Sequence, residues 1–347
     1  MKKTVVFGVT LAIVVALGWL NKPATTVHNQ PNLTPLNSDN IPTTTDSSNK
    51  SKVEKAELVN AKGKQISEQP KQNSIDSEHA VLITTTLFEN IYNKQPIDFA
   101  AEKALLNYLK ETNDDQVYQQ IISWLHNLKF GEENQDRLMA YGLSLLAAID
   151  TREAAEIFFS VMQQDNWQGS SAIYSVKSSV ARLTQNDSYK DLVQQTFTQV
   201  NDSNPFLKEL ALAIAYHAKE PQLDYLINYV GGEQNNKSNV AIQAMKNIQT
   251  EALVPHLVRY ISDTKSLKVK NTALDSLAHM GQYEAASALI TWSASQPQTS
   301  NDQVQTLFDI AIRRSPSTKR AIEKEIDSHT FLSESIKQLI IEMAKIN

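Results

Sequence analysis

Cysteine is absent from the 347 residues, which excludes a disulfide framework, a thiolate metal site and a cysteine nucleophile. Glycine and proline number only nine and eleven, too few for the dense turns of a sandwich or barrel and suited to a mostly helical chain. Histidine occurs seven times, at 28, 79, 126, 217, 256, 279 and 329. No two lie within four residues, so no helical His-x-x-x-His or Glu-x-x-His metal site is written in the sequence. There is no Gly-x-Ser-x-Gly elbow, no Ser-x-x-Lys in a hydrolase context, and no Gly-x-x-x-x-Gly-Lys or Gly-x-Gly-x-x-Gly phosphate loop. The one double glycine, Gly231-Gly232, reads as the end of a helix. Acidic neighbours such as Asp114-Asp115, Glu132-Glu133 and the Glu323/Glu325 pair sit at helix starts or alternate with lysine, the pattern of a solvated face. No catalytic, cofactor-binding or metal-binding residue is assigned, and the chain reads as non-enzymatic.

Charge is unevenly spread. Residues 1–75 hold nine lysines against five acidic residues, a balance of +4; with −5 overall, the other 272 residues carry −9. That sign argues against nucleic acid as the partner.

The amino end carries the targeting signal. Lys2 and Lys3 precede Thr4–Leu20, seventeen uncharged and mostly apolar residues. Residues 1–20 fit a signal peptide, with a small-x-small ending at Ala16-Leu17-Gly18. They also fit an uncleaved signal anchor, in which Trp19 would sit at the interface and the helix would reach roughly 25 Å. The basic start keeps that end in the cytoplasm in both readings and sends the body outward, which in a bacterial envelope means the periplasm. Residues 21–76 read as a disordered Thr/Asn/Ser/Pro-rich linker. Its composition cannot bury enough apolar surface to offset ordering entropy, and as a flexible tether it would span on the order of 40 Å.

From Ser77 the apolar period is helical throughout. Ser77 is placed as the cap of a first helix with a stripe of Ala80, Leu82, Ile83, Leu87, Phe88, Ile91 and Tyr92. Seven helix pairs then follow, with first helices starting near Asp98, Glu132, Gly169, Asn204, Asn236, Ser266 and Asn301. Asn204 before Pro205 and Ser315 before Pro316 are read as caps with proline at the first helical position. Thr151 and Thr250 stand where second helices open. Small residues such as Ala241, Ala273 and Ala285 are assigned to close helix approaches. Leu210, Leu226, Ile227, Met245, Leu257, Leu277 and Leu289 are assigned to the seams, and a final helix from Leu332 to about Lys345 to a terminal cap.

Two segments share one template at an offset of 32 residues. Ala241 and Ala273 open it, Met245 and Leu277 follow, a break falls at Ile248-Gln249-Thr250 and at Met280-Gly281-Gln282, and Leu257 matches Leu289. Self-similarity at such a period marks stacked repeats. Together with Glu251-Ala252-Leu253-Val254-Pro255-His256-Leu257, the template resembles the HEAT-like family of short, PBS-lyase-type helical repeats, over about residues 98–347 and most clearly at 205–295. The resemblance implies an all-α fold: an α-solenoid of stacked pairs over 77–347, behind the N-terminal segment and linker. It also implies that partners are held on the concave face, lined by second helices. The family's lyase members bind bilins, but the likeness here is confined to the repeat skeleton.

On those second helices Tyr225, Tyr229, His256, Arg259, Tyr260, Trp292, Lys319 and Arg320 are the candidate exposed positions, of residue types that dominate interface energetics. Arg259 with Tyr260 is the leading pair; the competing reading packs Tyr229, Tyr260 and Trp292 between repeats. The expected function is a scaffold or adaptor that binds a protein or extended peptide, with no cofactor. Two alternatives stay open: an envelope enzyme or inhibitor acting on peptidoglycan or secreted proteases, and a structural subunit of a secretion or pilus assembly.

Overall fold

The computed structural model describes residues 75–347 apart from 126–127, 165–166, 186, 297–300, 329–331 and 347. The membrane-segment reading and the linker reading up to residue 74 lie outside the described residues. Among the described residues, no helix is long and apolar enough to cross a membrane.

The described chain is all-α. A first helix, α1 (Ser77–Tyr92), precedes seven pairs: α2 (Phe99–Thr112) with α3 (Asp115–Leu125), α4 (Glu133–Ile149) with α5 (Arg152–Met162), α6 (Ile173–Leu183) with α7 (Lys190–Gln199), α8 (Leu207–Tyr216) with α9 (Glu220–Gly231), α10 (Asn236–Met245) with α11 (Val254–Asp263), α12 (Leu267–Met280) with α13 (Tyr283–Ala294), and α14 (Asn301–Arg314) with α15 (Pro316–Glu325). The last helix is α16 (Glu334–Ile346). First helices pack on one another in succession from α2 to α16, and α5 on α7, α11 on α13 and α13 on α15 extend a second row. The main packing joins elements no more than three places apart in the chain.

Local chemistry sets the helix ends. Thr151 caps α5 by accepting from Ala154 N, Ser266 caps α12 by accepting from Val269 N, and Ser315 caps α15 with Pro316 in its first turn. Three expectations are corrected. Asp76, not Ser77, caps α1: its carboxylate takes both His79 N and His79 Nδ1 at 2.9 Å, and an ionised acceptor outcompetes a hydroxyl one residue further on. Pro205 lies in a turn before α8, where Asn204 accepts from Phe206 N and donates to Met162 O at 2.7 Å, tying the turn to the previous pair. Thr250 opens a 3₁₀ turn, Glu251–Leu253, before α11 begins at Val254; Pro255, which has no N–H, then sits in the first α turn.

The side chains that the apolar pattern marks for burial are buried. Leu210, Leu226, Met245, Leu257, Leu277 and Leu289 are fully buried, as are Ala241, Ala244 and Ala273. Each such leucine contributes about 1.5–3 kcal/mol of burial. On α1 the stripe is narrower than read: Ala80, Leu87, Phe88 and Ile91 are buried, but Leu82 is 62% exposed and Tyr92 sits at the surface.

A polar row joins the turns within pairs. The last carbonyls of a helix have no partner inside it, and here the next pair supplies one. Tyr189 OH donates to Asp150 O at 2.8 Å, His217 Nε2 lies 2.7 Å from Thr184 O, and Thr250 Oγ1 donates to Ala218 O at 3.2 Å. Gln282 Nε2 then donates to Gln249 O, and Arg314 Nε to His279 O at 3.1 Å. The carboxyl ends of α4, α6 and α12 and the turns that follow α8 and α10 are thus tied to the pair that follows.

Candidate functional site

On α9, Glu220 and Asp224 are four residues apart and therefore share a helix face. On α11, His256, Arg259 and Tyr260 present a matching face. The two faces meet. His256 Nδ1 lies 3.0 Å from Glu220 Oε1, Arg259 Nη2 lies 3.4 Å from Glu220 Oε1 and 3.9 Å from Asp224 Oδ1, and Tyr260 OH donates to Asp224 Oδ1 at 2.5 Å. The Arg259 guanidinium also stands 5.6 Å from the centre of the Tyr260 ring, within cation–π range. Burial, then the hydrogen bond to Asp224, pushes the Tyr260 phenol up to about 12.

One seam earlier, Tyr225 and Tyr229 lean on α7. Their rings lie 6.2 and 5.0 Å from that of buried Phe197 and 5.2 Å from each other. Tyr225 OH donates to Gln194 O at 3.0 Å and lies 2.8 Å from Thr198 Oγ1. Burial holds its phenol above the ordinary tyrosine range.

Five of the eight candidate residues therefore lie along α9 and α11, and they double as links between pairs. Trp292 does not join them. Named both as an exposed candidate and, in the competing reading, as a residue packed between repeats, it is buried on α13, and its Nε1 has no hydrogen-bond partner. It follows Leu289 by three residues, so the helical period carries it onto the same buried stripe. Of the remaining candidates, Lys319 is half-buried and Arg320 exposed, its guanidinium 3.1 Å from Ser317 Oγ.

The acidic half of the site was missed from the sequence. The signal was available: Glu220 and Asp224 precede His256 and Tyr260 by 36 residues each, close to the repeat length. Also unread was a cleft of about 520 Å³ at the carboxyl ends of α9 and α11, against the start of α12. Ile227 and Val269 give it apolar surface, Gly231 and Gly232 contribute no side chain, and Tyr260 and Asp263 supply polar groups. Among the described residues no group of three or more His, Asp or Glu side chains is placed to hold a metal ion.

No protein-family model matches this chain, and no curated protein sequence matches it either.

Proposed function

We propose that the chain is a non-enzymatic scaffold or adaptor of the bacterial cell envelope, whose helix pairs stack as a HEAT-like α-solenoid and hold a protein or extended peptide against α9 and α11. The observation that carries the reading is the cluster in which His256, Arg259 and Tyr260 meet Glu220 and Asp224. Side chains already fixed by mutual bonds lose little entropy when a partner arrives, so a pre-organised surface gains affinity. Arg259 keeps its side chain about half exposed within that cluster, and arginine and tyrosine are the types that anchor interfaces. Packing confined to near neighbours in the chain is what a stacked array needs.

Residues 4–20 would hold the body at the outer face of the inner membrane, or be cleaved to leave it free in the periplasm. In the tethered form the partner would be captured at a raised local concentration. The −9 carried by residues 76–347 sets nucleic acid aside as a partner.

The test is a pull-down from envelope extract with the chain as bait, beside an Arg259→Glu/Tyr260→Ala version. Specific capture lost in the variant supports the reading. Capture that survives the variant moves the site elsewhere, and no reproducible capture removes the scaffold reading.

A further inference from the structure

The acids along α9 and α11 are not equivalent. Glu220 and Asp224 are met by His256, Arg259 and Tyr260. Asp263, one turn beyond Tyr260, makes no hydrogen bond or ion pair among the described residues, and it lines the cleft. Asn228, also lining the cleft, has a side-chain amide with no partner.

The helix ends bias the cleft the same way. Two helices, α9 and α11, terminate there, and the partial negative charge of their final carbonyls adds to that of Asp263. The positive end of α12 also borders the space, but its first groups are occupied: Ser266 Oγ accepts from Val269 N, and Thr264 Oγ1 from Ser266 N. No neighbouring lysine forms an ion pair with Asp263. Lys268 Nζ lies 2.7 Å from Ser238 Oγ and Lys237 Nζ 2.9 Å from Thr198 O, and Lys265 is not among the residues that line the cleft.

An ammonium or guanidinium on an aliphatic stem fits these features. The stem would lie on Ile227 and Val269, and the head would meet Asp263 and the helix-end carbonyls. We infer that this cleft receives a lysine or arginine side chain from an extended segment of a protein partner. The inference rests on the reading that the partner lies along α9 and α11, and it adds the chemistry that the partner must present.

The test uses the full chain and two fluorescein-labelled hexapeptides, one alternating alanine with lysine and one alternating alanine with glutamate, followed by fluorescence anisotropy. The lysine peptide is expected to bind saturably and the glutamate peptide not at all. Asp263→Lys is expected to weaken binding roughly tenfold or more through like-charge repulsion. Gly231→Leu, whose Cβ would meet Val269 Cγ2 at 3.4 Å across the lining, should act alike, and Asp263→Asn should weaken binding about threefold. Glu89→Lys on distant α1 changes net charge by the same amount as Asp263→Lys and is expected to leave binding within about twofold. Thermal melts of each variant separate lost binding from lost folding.

Absence of saturable lysine-peptide binding overturns the inference, as does a Glu89→Lys loss equal to that of Asp263→Lys. If the peptide fails while the pull-down still captures a protein through Arg259 and Tyr260, the cleft assignment falls and the scaffold reading stands.

Discussion

The Tyr260 hydroxyl on α11 donates to the Asp224 carboxylate on α9 across 2.5 Å. Burial and this bond raise the phenol to about 12, whereas an unfolded tyrosine titrates near 10. Between those values the unfolded chain gives up its proton while the folded chain keeps it. Stability from this group is therefore complete below about pH 10 and is lost as pH rises toward 12. Tyr189, pushed up to about 12 by burial and the neighbouring Asp150, adds a loss of the same sign. Tyr260→Phe is expected to flatten the fall in urea midpoint between pH 10 and 12 without abolishing it. Parallel curves for the two proteins would show that the Asp224 bond does not control the phenol.

Arg259 tests whether the α9–α11 cluster exists for folding or for binding. Its contacts to Glu220 and Asp224 are 3.4 and 3.9 Å long, between side chains about half exposed. Such a pair contributes about 0–1 kcal/mol. Arg259→Glu should shift the unfolding free energy by no more than about 1 kcal/mol while removing partner capture. Denaturant titration gives the first quantity and the pull-down the second. A loss of several kcal/mol would make the cluster a structural clamp and remove the argument for binding there.

Helix pairing was readable because it depends on local signals. Thr151, Ser266 and Ser315 cap where their side chains can reach the next turn, and the Ala and Leu template sorts close approaches from seams. Trp292 was readable too, since its spacing from Leu289 places it on the buried stripe. What resisted reading depends on which faces meet after stacking. The bonds from Arg259 to Glu220 and from Tyr189 to Asp150 each cross 39 residues. Nothing in the local pattern of either residue announces its partner. The cleft was illegible for the same reason, because it arises where three helix ends happen to leave space.

Gly281 follows α12 at φ +66°, in the left-handed region where a side chain is strained. A Cβ added there would lie 2.9 Å from Ser315 Cβ and 3.0 Å from Arg314 Cγ. Arg314 is also the residue that caps His279 O, so the clash would strike the row joining the turns. Gly169 separates the two effects: its φ is +86°, but nothing lies within 4 Å of an added Cβ. Gly169→Ala should cost about 1 kcal/mol from backbone strain alone. Gly281→Ala should cost about 2–4 kcal/mol, the excess coming from overpacking. Equal urea midpoints for the two variants would show that the turns of α12–α13 and α14–α15 have room to separate.

Asp136 is the buried carboxylate on which two neighbouring connections depend. It sits in the first turn of α4 at 2% exposure. Oδ1 accepts from Ser170 Oγ at 2.7 Å and Gly131 N at 3.0 Å, and Oδ2 from Ser171 N at 2.6 Å and Ser171 Oγ at 2.9 Å. The loop before α4 and the loop before α6 are thereby held by one side chain. Asp202 repeats the device further along, accepting from Asn236 N and Lys237 N at the start of α10, but at a more exposed position. Alanine at 136 would leave two backbone donors and two hydroxyls without an acceptor. A buried group stripped of its partner costs about 1–3 kcal/mol, so Asp136→Ala is expected to lose roughly 3–5 kcal/mol. Asp202→Ala, with water able to replace the acceptor, should lose about 1 kcal/mol. Chemical denaturation of the pair decides the matter: similar losses would mean that burial, the feature distinguishing the two carboxylates, does not set their contribution.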